Sequence, residues 1–172
     1  MSGYIVATQI VERLSDESKL ACISALKFGE QGQSKLAAGD WGGALEMCRK
    51  AQAGFSKIPE ARPLLGVTMA DMAAALGNQG QHAEAKRVAE DALPLVAGEQ
   101  MLRMTEGTLH MTIGIGCFLE EEEEKGAEHL SHARRLFRQL PDGGRMLGIL
   151  DTNEQQLSSA PIKAKHPWWK FW

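Results

Sequence analysis

Apolar residues recur along this chain at three- and four-residue spacing, and no segment alternates apolar and polar positions as a half-buried strand does. The pattern predicts an all-α protein. Tyr4, Ile5, Ala7, Thr8, Val11 and Leu14 share one face of a short amphipathic lead-in helix. Ser15 and Asp16 then cap a helix over about 17–38, with a stripe of Leu20, Ile23, Ala25, Leu26, Phe28 and Leu36. Gly29 and Gly32 interrupt it. A helical glycine costs about 1 kcal/mol against alanine, so both glycines predict close approach of a neighbouring helix. Gly39 ends this helix and Asp40 caps the next, over about 41–56. Pro59 and Pro63 bracket a connection to a helix over about 64–78, which Gly80 ends, and its partner covers about 82–96 with Pro94 in the last turn.

A further helix spans about 99–119 and its partner about 125–140. The five glutamates Glu120 to Glu124 lie between them. Carboxylates disfavour a helix C-terminus and favour the next N-terminus, which predicts a turn inside the run, near Glu121 or Glu122. Pro141-Asp142-Gly143-Gly144 is a turn, followed by a closing helix over about 145–157 with Met146, Ile149, Leu150 and Leu157 on one side.

The stretch from Gly39 to Ala51 returns 41 residues later as Gly80 to Ala92. A fainter copy follows after 42 more, with Ala127 standing for Ala44 and Ala85. Helix pairs at a fixed spacing bury their apolar faces by stacking on one another. These copies resemble the tetratricopeptide repeat. The first matches at Gly32, Gly39, Trp41, Ala44 and Ala51, with Cys48 where the family has an aromatic. The second matches at Ala73, Gly80, Ala85, Ala89, Ala92 and Pro94, with His82 in the aromatic position. In the third, at the 42-residue spacing, Glu122 stands at the turn and Ser131 and Arg134 at packing positions. The period exceeds the family's usual ~34 residues, so the resemblance is to a long-period variant.

The resemblance implies a right-handed α-solenoid of three helix pairs with a capping helix. Its concave groove would be lined by Leu26, Gly29, Glu30, Gln33, Leu36 and Ala37 in the first copy. Val67, Ala70, Asp71, Ala74, Gly77 and Asn78 follow in the second, then Leu109, Thr112, Ile113, Gly116, Leu119 and Glu120 in the third. The candidate partner-binding positions among them are Gln33, Leu36, Val67, Asp71, Asn78, Leu109 and Thr112. The lining is small, apolar and slightly acidic. It lacks the Lys and Arg with which members of the family grip a terminal carboxylate, so an apolar or helical segment is the expected occupant.

Composition narrows the picture. A chain of 172 residues is one domain, and a net charge of -3 supplies no general field for nucleic acid. Cys22, Cys48 and Cys117 fall on apolar stripes with no C-x-x-C spacing, as buried reduced thiols do. The first fourteen residues do not read as a signal peptide, and the uncharged stretch 107–119 is too short for a membrane span. The expected compartment is the cytoplasm.

Candidate chemistry is sparse. His129 and His132, with Glu128 beside them, could offer two metal ligands but would need others from elsewhere, so the expectation is a polar helix face and no cofactor. His110 is expected to pack between Leu109 and Met111. Gly114-Ile115-Gly116 lacks the strand and third glycine of a dinucleotide site. No catalytic constellation stands out.

The chain therefore divides into a repeat domain, 1–158, and a tail, 159–172, in which Trp168, Trp169, Lys170, Phe171 and Trp172 crowd together. The expected function is a non-catalytic adaptor that binds another protein or peptide through the groove, the tail or both, with self-association through the tail as a further route. The alternatives are a peripheral membrane protein anchored by the Trp- and Lys-rich tail, and a peptide-binding regulator.

Overall fold

The caps read from the sequence become helix boundaries. In the computed structural model, which describes residues 2–12 and 14–159, the Ser15 hydroxyl accepts from the Ser18 amide and the Asp40 carboxylate accepts from the Gly43 amide at 2.9 Å. The eight α-helices are α1 (Ser2–Glu12), α2 (Asp16–Ala37), α3 (Trp41–Phe55), α4 (Arg62–Asn78), α5 (His82–Val96), α6 (Arg103–Leu119), α7 (Glu123–Arg138) and α8 (Gly144–Ser159). Two 3-10 turns, Pro59–Ala61 and Gln100–Leu102, precede α4 and α6. The described residues contain no strand. None of their helices is long and apolar enough to cross a membrane.

Each helix from α2 to α7 packs chiefly on its neighbours in sequence, and α2–α3, α4–α5 and α6–α7 are the most intimate pairs. Between the last two pairs the recurrence is regular. The 3-10 turn, both helix starts and the inner helix end of the second pair all reappear 41 residues later in the third. The left-handed residues closing the inner helices follow the same step, at Gly39 (φ 76°), Gly80 (φ 78°) and Glu121 (φ 65°).

This corrects the register of the third copy. The step is 41, so the counterpart of Ala44 and Ala85 is Gly126, which is buried, whereas Ala127 is exposed. Leu130 and Ala133, both in the core, replace Ser131 and Arg134 as the packing residues. The turn does fall inside the glutamate run, at Glu121. Lys86 of α5 braces it, its ammonium donating to Glu120 at 2.5 Å and to Glu122 at 3.1 Å. The Lys125 and Lys86 ammonium groups hold the Glu122 carboxyl down at about 2.

Small residues set the helix crossings. A Cβ on Gly32 would lie 2.7 Å from Cys48 Sγ, and one on Gly114 would lie 2.6 Å from Leu130 Cδ2. Gly29 has open space instead, so only Gly32 of the two predicted glycines marks close approach. One apolar cluster runs from α1 through α6, and a second joins Met111, Leu130, Ala133, Phe137 and Leu150. The closing helix covers that second cluster with Met146, Ile149 and Leu157. Arg134 ties it down through Asp151 and Glu154, at 2.7 and 2.6 Å. Helix α8 persists through Ser159, two residues beyond its predicted end. Pro94 lies inside α5 without ending it.

Candidate functional site

A groove of about 810 Å³ opens between α1, α2, α4 and the start of α6. It exists because the residues that face it are small or short. Gly29, Ala70 and Ala74 keep the walls apart, and Leu26, Val67 and Thr108 supply apolar relief. Its fourth wall is α1, whose Ala7 and Val11 face the cavity and whose apolar side joins the main core with Ile10. The amphipathic lead-in is thus laid across the inner helices.

One polar bridge crosses the floor. Gln33 Nε2 of α2 donates to Asp71 Oδ2 of α4 at 3.1 Å. Burial pushes the Asp71 carboxyl up to about 6, with the Gln33 amide pulling weakly the other way. Glu12, Lys27 and Glu30 stand around the rim.

The structure brings together three of the candidate groove residues, Gln33, Val67 and Asp71, in this cavity. The other four do not line it. Leu36 is half-buried against the core. Asn78 is buried and donates to the Ala74 carbonyl at 2.8 Å. Thr112 bonds the Thr108 carbonyl at 3.0 Å. Leu109 is 1% exposed and belongs to the core, so it offers a partner no surface. The 42-residue step explains Leu109: at the true 41-residue step the counterpart of Val67 is Thr108, which lines the groove. The tail candidates Trp168, Trp169, Lys170, Phe171 and Trp172 lie outside the described residues.

A second constellation joins α6 to α7. His110 does not simply pack between Leu109 and Met111. Its Nδ1 lies 2.9 Å from His129 Nδ1, and its ring stacks on His132 with centroids 4.1 Å apart and planes 13° from parallel. Glu106, one turn before His110, brings a carboxylate oxygen to the same place, so that Glu106, His110 and His132 each offer a ligand atom within 4.8 Å of the others. Burial, with the neighbouring His132, His129 and Arg135, pushes the His110 imidazole down to about 4, and burial lowers His129 as well. Half of this cluster, His129 and His132, is readable from the sequence as a helical pair, whereas Glu106 and His110 face it across the hairpin and carry no local signal. The three thiols are all buried and free of disulfides, and burial carries Cys48 up to about 12.

Compared with known proteins, the chain matches no family model, no curated protein and no solved structure.

Proposed function

We propose that this protein is a non-catalytic adaptor of the cytoplasm that receives an amphipathic helical segment of a partner protein in the groove between α2, α4 and the start of α6. In this reading the three hairpins form a right-handed, tetratricopeptide-like α-solenoid closed by α8. Supporting it are the 41-residue recurrence and the small residues at matching crossings, Gly32, Ala73 and Gly114 on the inner helices and Ala51, Ala92 and Ala133 on the outer ones.

The observation that carries the binding reading is α1. A helix already lies along this cavity, with Ala7 and Val11 against it. Ala7, Ile10, Val11 and Leu14 have the i, i+3, i+4, i+7 spacing by which amphipathic helices anchor in apolar grooves. With Glu12, Glu30 and Asp71 outnumbering Lys27 around the cavity, the complementary segment has a basic edge beside its apolar face.

Gly29 supplies a clean lesion. It faces the groove, and a Cβ there meets nothing within 4 Å, so Gly29→Leu fills the cavity without forcing the helices apart. The test is a photo-crosslinking side chain in place of Ala74, on the groove wall, with the same probe at the exposed Ala53 of α3 as control. A discrete partner adduct from position 74 that disappears with Gly29→Leu is the expected result. Equal adducts from both positions, or a yield indifferent to Gly29→Leu, would contradict the adaptor reading.

A further inference from the structure

The repeat provides its own control for the histidine cluster. Four positions, two on the inner helix and two on the outer, recur at the 41-residue step. In the first hairpin they hold Ser24, Phe28, Met47 and Lys50, with the Lys50 ammonium 5.7 Å above the Phe28 ring. In the second they hold Leu65, Met69, Val88 and Asp91. The central pair is therefore Phe28 with Met47, then Met69 with Val88, apolar residues in both hairpins. In the third hairpin the same four positions are Glu106, His110, His129 and His132. Helix packing does not call for this change, since the frame closes around apolar side chains twice over. All four replacements are metal-ligating types, and the fold gathers them at one point.

We propose that the α6–α7 hairpin holds a divalent zinc-like ion through Glu106, His110 and His132, with His129 as the residue that orients His110. The ligand atoms lie within 4.8 Å of one another. A tetrahedral ion bonded at about 2.0–2.1 Å needs them roughly 3.3 Å apart, a closure that side-chain rotation supplies. Because His110 Nδ1 faces His129 Nδ1 at 2.9 Å, the ion takes His110 Nε2. That choice fixes the tautomer: the Nδ1 proton of His110 is donated to His129 Nδ1, which takes the orienting place that a carboxylate or carbonyl commonly holds behind a metal-bound imidazole. Two imidazoles and a carboxylate suit zinc and its borderline neighbours better than calcium or magnesium, which prefer all-oxygen shells. Three protein ligands leave the fourth position to water.

The charges around the cluster are compatible with a dication. Glu128 and Glu90 favour positive charge at His129, against His132 and Lys86. Arg135 is exposed, with Nη2 3.1 Å from His132 Nδ1 and 3.2 Å from Nε2, and must turn outward for His132 to ligate. None of the four residues lines the groove, so the site stands or falls independently of the adaptor reading.

The experiment uses the full chain, stripped with a chelator and titrated with zinc chloride alone, with bound metal counted after dialysis. The expected result is one ion per chain, and cobalt in its place should give the intense visible bands of a low-coordinate site without thiolate charge transfer. His132→Ala and Glu106→Gln, both at half-buried positions, should each weaken binding by tenfold or more while helicity is kept. His129→Gln should weaken it about 10- to 100-fold, the usual effect of losing an orienting partner. His110→Ala is the sharpest lesion but sits in the helix interface, so the two half-buried variants decide if it fails to fold. No stoichiometric binding, or binding that survives unchanged in His132→Ala and Glu106→Gln, would overturn the proposal.

Discussion

The first and third hairpins occupy one frame with different residues. Gly39 closes the first turn at φ 76°, and Glu121 closes the third at φ 65°. Gly32 meets Cys48 at one crossing, while Gly114 meets the larger Leu130 at its equivalent. Phe28 and Met47 stand at the positions that His110 and His129 hold in the third. What repeats is the backbone path and the clearance between helices. Side-chain identity varies as long as each facing pair fits that clearance, and it departs furthest where something other than packing is at stake.

Four tests would break or sharpen that comparison. Phe137 is fully buried and its ring is seated on Gly107, where a Cβ would come within 2.5 Å of Cε1. Phe137→Ala should destabilise by about 3–5 kcal/mol, measured by denaturant unfolding, the largest effect of the set. Next is the crossing itself. Gly114→Ala should cost about 1–3 kcal/mol by overpacking. Adding Leu130→Ala imitates the second hairpin, which carries Ala73 and Ala89 at these positions. The double variant should be less unstable than the sum of the singles, and strict additivity would separate the two residues.

The third test acts on the turns. A non-glycine residue in the left-handed region costs roughly 1–2 kcal/mol. Glu121→Gly should therefore raise the melting temperature by about 2–4 °C, and Gly80→Ala should lower it by a similar amount. The smallest effect concerns Asp71, whose counterpart in the third hairpin is the neutral Thr112. Its carboxyl sits at about 6 in the fold against an ordinary 3.8. Between those values the folded chain keeps a proton that the unfolded chain has lost, so stability falls as pH rises through that window. Asp71→Asn should stabilise at pH 7 by on the order of 1 kcal/mol, with the gain vanishing near pH 4.

Much of the fold was legible because its boundaries have chemical signatures. Asp40 at an N-cap, Gly39 and Gly80 at left-handed turns, and Pro59 and Pro63 in a connection each act locally, so sequence alone locates them. The third turn lacks that signature. Glu121 holds a left-handed conformation without being glycine, and it is hidden in a run of identical residues. With both Gly126 and Ala127 small, nothing local chose between a step of 41 and one of 42, and the slip carried Leu109 from the core into the predicted groove. The cavity was legible only in part, since its fourth wall depends on where α1 docks, which is a tertiary fact. The histidine cluster was half legible. His129 and His132 are neighbours on one helix, whereas His110 and Glu106 join them only through the hairpin. Aligning the three copies at the correct step would have placed all four in one column set.

If the groove is a receptor for an amphipathic helix, α1 is the helix already docked along it. The direct measurement is fluorescence anisotropy of a labelled peptide of residues 2–14 titrated with a chain of residues 15–172. Saturable one-to-one binding, lost when the peptide carries Val11→Asp, is the predicted result. A peptide that does not bind, or whose Val11→Asp form binds equally well, would contradict it.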